Sequence, residues 1–149
     1  DRIGMNGAWI RNGYNNVYYS NARSMARFGL LMLNKANWNG TAILQDSSYF
    51  NAQTNSSQTI NLSYGYLTWL NGKPSHMLPT LQNVFSGYMI PNAPADLYAA
   101  LGKNDQKIYV VPSQKLVVIR MGESSGQVQL ALSSFDNELW GKLKTIMNY

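Results

Sequence analysis

Apolar and polar positions alternate loosely in the first half of the chain and sharply in the second. Residues 1–19 mix Gly, Asn and Tyr with no sustained period and read as loop. Met25, Phe28, Leu31 and Met32 then fall at helical spacing, which predicts a helix over Ala22–Lys35 with one apolar face. Ser20 or Asn21 is its candidate N-cap, and Asn37-Trp38-Asn39-Gly40 ends it with turn chemistry. Asp46 can cap a short second helix running to about Gln53. A polar stretch, Gln53–Ser63, reads as loop. The aromatic run Tyr64–Leu70 predicts a strand that enters a tight turn at Asn71-Gly72. From Lys73 to Pro94, four prolines predict a long irregular connection. Such a connection inside a compact domain has to be held by something other than regular backbone hydrogen bonding.

Three β-rich runs follow: Leu97–Gly102, Lys107–Val111 and Lys115–Met121. The short separators Lys103-Asn104-Asp105 and Pro112-Ser113-Gln114 predict an antiparallel meander. Leu116-Val117-Val118-Ile119 is continuously apolar, as expected for a strand covered on both faces. Ser133 or Ser134 caps a last helix to about Asn148, and Asp136 stands three residues after Ser133 at capping-box spacing. Phe135, Leu139, Leu143 and Ile146 with Met147 form its apolar stripe, which needs the meander to lie on. The predicted class is α+β: an N-terminal loop and helices, then an antiparallel three-stranded meander covered by a C-terminal helix.

Composition sharpens this picture. At 149 residues, the chain is long enough for one core. Charged residues make up 13% against roughly 25% in typical soluble domains, with Asn, Gln, Ser, Thr and Tyr as the polar surface, a balance that suits an exported protein. The absence of cysteine excludes disulfides, thiolate metal sites and a Cys nucleophile. A net charge of +5 raises nucleic-acid binding, but the cations are spread over the whole chain. Phosphate affinity needs several on one face, so no nucleic-acid partner is expected. No apolar run approaches the length of a membrane span. Asp1 to Gly7 lack the charged, apolar and small segments of a signal peptide, so either there is no export signal or the true beginning lies upstream.

Few residue types can carry chemistry here. His76 is the only histidine, which rules out a two-histidine metal site, and no Gly-x-Ser-x-Gly elbow supports a Ser-His-Asp triad. No metal or cofactor is expected. No Ser or Thr has Lys three positions later; Ser20 with Arg23 and Ser24 with Arg27 come nearest, and Arg cannot act as a proton acceptor. Tyr-x-Asn occurs three times, at Tyr14, Tyr19 and Tyr49, as chance allows in a chain rich in both residues. Ten tyrosines and four tryptophans can pack a core or form a sugar-stacking platform.

The stretch Ser20-Asn-Ala-Arg-Ser-Met-Ala-Arg-Phe-Gly-Leu-Leu-Met-Leu33, with Trp38-Asn-Gly and Ile43-Leu44 after it, resembles a segment of serine β-lactamase-like hydrolases. Tyr64-Gly-Tyr-Leu-Thr-Trp69 is similar to the aromatic strand that follows in that family. The run Ala99 to Pro112, with Leu116 to Arg120, looks like its third-motif strand and the two strands after it. The nearest groups are class C β-lactamases, related esterases and 6-aminohexanoate-dimer hydrolases. The resemblance implies that residues 1–149 are the C-terminal portion of a single β-lactamase/transpeptidase-like domain whose Ser-x-x-Lys nucleophile and catalytic Tyr-x-Asn lie upstream. It maps the third motif, usually Lys-Thr-Gly, onto Ala100-Leu101-Gly102 as substrate-binding residues, without the cation of the usual motif. Glycine at 102 lets the strand approach a substrate closely, and the Lys103 backbone N–H becomes an oxyanion donor. Residues 76–94 are expected to wall the pocket. The implied substrate is a small-molecule ester, amide or β-lactam, the implied partner is the missing N-terminal portion, and the implied location is periplasmic or secreted. The rival reading is a non-catalytic glycan- or peptidoglycan-binding module that uses exposed aromatics.

Overall fold

A computed structural model describes residues 2–125 and 131–149. Gly7–Asn12 (β1) and Asn15–Ser20 (β2) form an antiparallel hairpin, paired from Gly7 with Ser20 to Asn12 with Asn15. This replaces the loop expected over residues 1–19. Gly13 takes φ +60° at the first position of the two-residue turn, where glycine is favoured. The strands escape pattern reading because neither face is buried, so no alternation marks one: β1 is exposed along its whole length.

Helix α1, Ala22–Leu33, starts on Asn21, whose side chain accepts from the Ser24 N–H at 2.9 Å. It ends earlier than Lys35, because Lys35 and Ala36 turn left-handed at φ +52° and +61°. Asn37–Trp38 (β3) and Thr41–Ala42 (β4) close a small hairpin on Asn39-Gly40, both at positive φ. The Asp46 side chain accepts from the Ser48 and Tyr49 N–H groups and caps α2, Ser47–Gln53. Those donors, the Ser48 hydroxyl first among them, hold its carboxyl below the usual carboxylate range.

The strand expected over Tyr64–Leu70 shrinks to Trp69–Leu70 (β5). Residues before it turn back instead: Gly65 N–H donates to the Thr68 carbonyl at 2.8 Å and Leu67 sits at φ +51°. The long connection contains a short hairpin, Ser75–Met77 (β6) with Val84–Ser86 (β7). Buried Asn71 fastens its far end. The Asn71 side-chain oxygen accepts from Ile90 N–H at 2.9 Å, and its amide donates to the carbonyls of Ile90, Ala93 and Pro94.

Tyr98–Leu101 (β8), Lys107–Val111 (β9) and Leu116–Arg120 (β10) form the expected meander, and β5 extends it to four antiparallel strands in the order β10-β9-β8-β5. Alternate side chains serve two cores. Tyr98, Val110 and Val117 pack toward Met32 of α1 and Phe50 of α2. Ala99, Tyr109, Val111 and Val118 pack toward α3, Ser134–Met147. The continuous apolar run in β10 thus divides between the two faces, each half-buried. Tyr98 also donates its hydroxyl to the Met32 carbonyl at 2.9 Å, tying β8 to the end of α1. Burial, with the Asp96 charge, pushes that phenol up to about 12.

The centre of α3 is Trp140, wholly buried and edge-on to Tyr109 at 5.5 Å and absent from the expected stripe, whereas Ile146 of that stripe is 79% exposed. Truncating Trp140 to Ala should therefore cost about 3–5 kcal/mol in urea unfolding, whereas Ile146→Ala should stay within roughly 0.5 kcal/mol. On the opposite face, Gly29 lets α1 lie close to the sheet. A Cβ there would meet Val117 Cγ1 at 2.5 Å and Ile108 Cγ2 at 3.1 Å. Overpacking typically costs about 1–3 kcal/mol, more than the roughly 1 kcal/mol that alanine gains over glycine in a helix. Gly29→Ala should lower the urea midpoint.

Candidate functional site

Where α1 stops covering the sheet, a cleft of about 390 Å³ opens along β8. Ala100, Leu101 and Gly102, the residues singled out by the sequence, all line it. Ala100 leaves room because it is small, and its side chain is exposed. Lys103 is not a lining residue; it opens a 3-10 turn, Lys103–Asp105, with its side chain on the surface. The far walls come from Tyr18 of the hairpin, Met25 of α1 and the Tyr64, Leu67 and Trp69 turn. None of residues 76–94 contributes, contrary to expectation, because that segment is spent on the α3 core through Met89, Ile90 and Ala93.

Gly102 itself is in ordinary extended backbone, φ −104°. Its lack of a side chain matters locally, since a Cβ would press on Gln106 at 3.3 Å. Gly102 N–H donates to the Gln106 carbonyl at 2.7 Å and closes the turn. Inside the turn Asn104 and Asp105 both adopt left-handed φ, +56° and +57°, a conformation that costs non-glycine residues energy unless the surroundings enforce it.

A buried charged knot enforces it. Lys107 Nζ is 3.2 Å from Asp105 and 3.0 Å from Asp136, with all three side chains at or near zero exposure. It donates a further bond to the Ala131 carbonyl at 2.5 Å. Asp136, in the first turn of α3, also accepts from the Tyr109 hydroxyl at 2.6 Å and from the Ser133 N–H at 2.9 Å. Asp105 accepts from the Ser133 hydroxyl and from both the N–H and hydroxyl of Ser125. Burial favours the protonated acid at Asp105, but the Ser125 donors, the Ser133 hydroxyl and Lys107 together overcome it. Its pKa lies well below the usual carboxylate range. Tyr109 is pushed strongly upward, first by burial and then by the Asp136 charge. Outside the knot, Arg120 donates to the carbonyls of Asn104, Asp105 and Gly122 and to Glu123 O.

In the sequence, Asp105 reads as a turn residue and Asp136 as a cap, and neither announces the knot. The available signal was a pair of charges two positions apart, Asp105 and Lys107, at the entry to an otherwise apolar strand. Among the described residues no group of three or more His, Asp or Glu side chains is placed to hold a metal ion, and no helix is long and apolar enough to cross a membrane.

No protein-family model matches this sequence, and no curated protein matches it. Its structure is similar to that of a protein described as "Putative 6-aminohexanoate-dimer hydrolase from Bacillus anthracis", with a TM-score of 0.64 and 21% identity. The likeness spans 99% of this chain and 36% of that one. The fold is similar to part of a β-lactamase-like fold. The chain therefore corresponds to little more than a third of that hydrolase, and at this identity the likeness is one of fold.

The knot sets a pH dependence. Asp105 is held below the roughly 3.9 of an unfolded Asp, so its contribution is complete above that value and fades as pH falls through the lower folded pKa. Asp105→Asn should flatten the acid limb of a stability-against-pH curve below about pH 4. At pH 7, Lys107→Met leaves two buried carboxylates uncompensated and should cost about 3–5 kcal/mol. An unchanged urea midpoint at pH 7 would count against the knot.

Proposed function

We propose that this chain is the C-terminal part of an exported serine hydrolase that cleaves an ester, amide or β-lactam through an acyl-enzyme. The observation that carries the reading is the cleft lined by Ala100, Leu101 and Gly102 in a fold similar to part of a described hydrolase. The chain supplies the oxyanion strand and pocket walls. The remainder of the same protein supplies the Ser-x-x-Lys that this sequence lacks. Lys103 is the oxyanion donor: the Gly102 N–H is already taken by Gln106, whereas the Lys103 N–H meets no acceptor among the described residues. One such donor is typically worth about 3 kcal/mol of transition-state stabilisation. The hairpin favours a second reading, as a glycan-binding module, because Trp9, Tyr14 and Tyr19 expose their rings.

A fluorophosphonate probe followed by intact mass tests the leading reading. The 16.7 kDa chain alone should gain no mass. The longer product of its reading frame should gain one probe, on a serine outside these 149 residues. Labelling of a serine within the chain, or no labelling of the longer protein, would contradict it. Saturable oligosaccharide binding by an unlabelled longer protein would instead favour the glycan module.

A further inference from the structure

The cleft adjoins a second hollow of about 430 Å³ under the β1–β2 hairpin, and Tyr18, Met25 and Ile108 wall both. The remaining walls of the second hollow are Met5, Trp9 and Phe28, all uncharged. Volumes of this size suit a small molecule. Among the described residues, only Lys107 and Arg120 of those lining the cleft are ionic. Lys107 is claimed by Asp105 and Asp136. The Arg120 guanidinium is spent on backbone carbonyls and lies over the Phe135 ring at 5.3 Å. The Lys107 ammonium has no exposure and offers the cleft no charge. A ligand carboxylate entering the cleft would lose its water and find no free cation, which is heavily unfavourable. The Tyr18 and Tyr64 hydroxyls supply polar handles on the cleft walls.

We infer that the cleft and the adjoining second hollow bind an uncharged, extended acyl or aromatic group, so that the substrate is a neutral ester or amide and not a carboxylate-bearing β-lactam. This rests on the hydrolase reading for the word substrate, while the binding site stands on the geometry alone.

Titrating the chain with methyl octanoate and with octanoate at pH 7.5, both below aggregation, tests the inference. Tryptophan fluorescence reports it because Trp69 lines the cleft and Trp9 the second hollow. Methyl octanoate should bind saturably, octanoate at least about tenfold more weakly. Ala100→Phe, at an exposed position that tolerates a ring, should abolish the response without changing the melting temperature. Octanoate binding as tightly as its ester, or no saturable response to either, would overturn the inference. Hydrolysis plays no part in this readout. A failed charge preference therefore leaves the serine-probe result standing, and a failed serine probe leaves the binding result standing.

Discussion

A lysine ammonium with no access to water has to be neutralised where it lies, and this requirement organises the second half of the molecule. Lys107 stands at the first position of β9, where its side chain enters the α3 face of the sheet. Its partners come from opposite directions: Asp105 from the turn before it and Asp136 from the start of α3. Taking the lysine away leaves two carboxylates buried without their counter-ion, which is far costlier than the pairing is beneficial. The turn and the helix are consequently fixed relative to one strand position. The left-handed Asn104 and Asp105 that would otherwise be strained are part of the same device.

The sheet gives that device its place beside a cleft. Its strands send alternate side chains to α1 with α2 on one face and to α3 on the other. Gly29 draws α1 down onto β9 and β10, so the helix covers that side of the sheet and leaves β8 open at Ala100. The knot sits on the opposite face, under the turn that leaves the cleft. Cleft shape and core stability are thus joined through residues 102–107, a strand end and a closed turn only a few residues long.

Much of this was legible in the sequence. Asn21, Asp46 and Ser133 announce three helices because capping chemistry is local, and the meander shows because its separators are short and its strands rich in Val, Ile and Tyr. The β1–β2 hairpin was not legible, since a strand pair with no buried face carries no alternation. The Tyr64–Thr68 turn was hidden for a different reason: Leu67 takes a left-handed φ that its residue type does not advertise. The stripe on α3 was drawn one step too far toward Ile146 and omitted Trp140, which only the position of Tyr109 opposite could select. Ala100, Leu101 and Gly102, which the family resemblance singles out, line the cleft. The knot escaped because it joins residues 29 positions apart, Lys107 and Asp136, and a single sequence does not show such pairings.

The central claim is that the buried knot holds the turn bordering the cleft, beyond stabilising the fold in general. Amide hydrogen exchange of Gly102, whose N–H closes the turn on Gln106, measures this directly when wild type and Lys107→Met are compared. The account predicts that Gly102 exchange accelerates by a larger factor than that of Val110 in the same sheet, because local opening of the turn becomes easier than global unfolding. Equal acceleration at both positions would mean that the knot contributes only to overall stability, and the proposed link between the core and the cleft would be wrong.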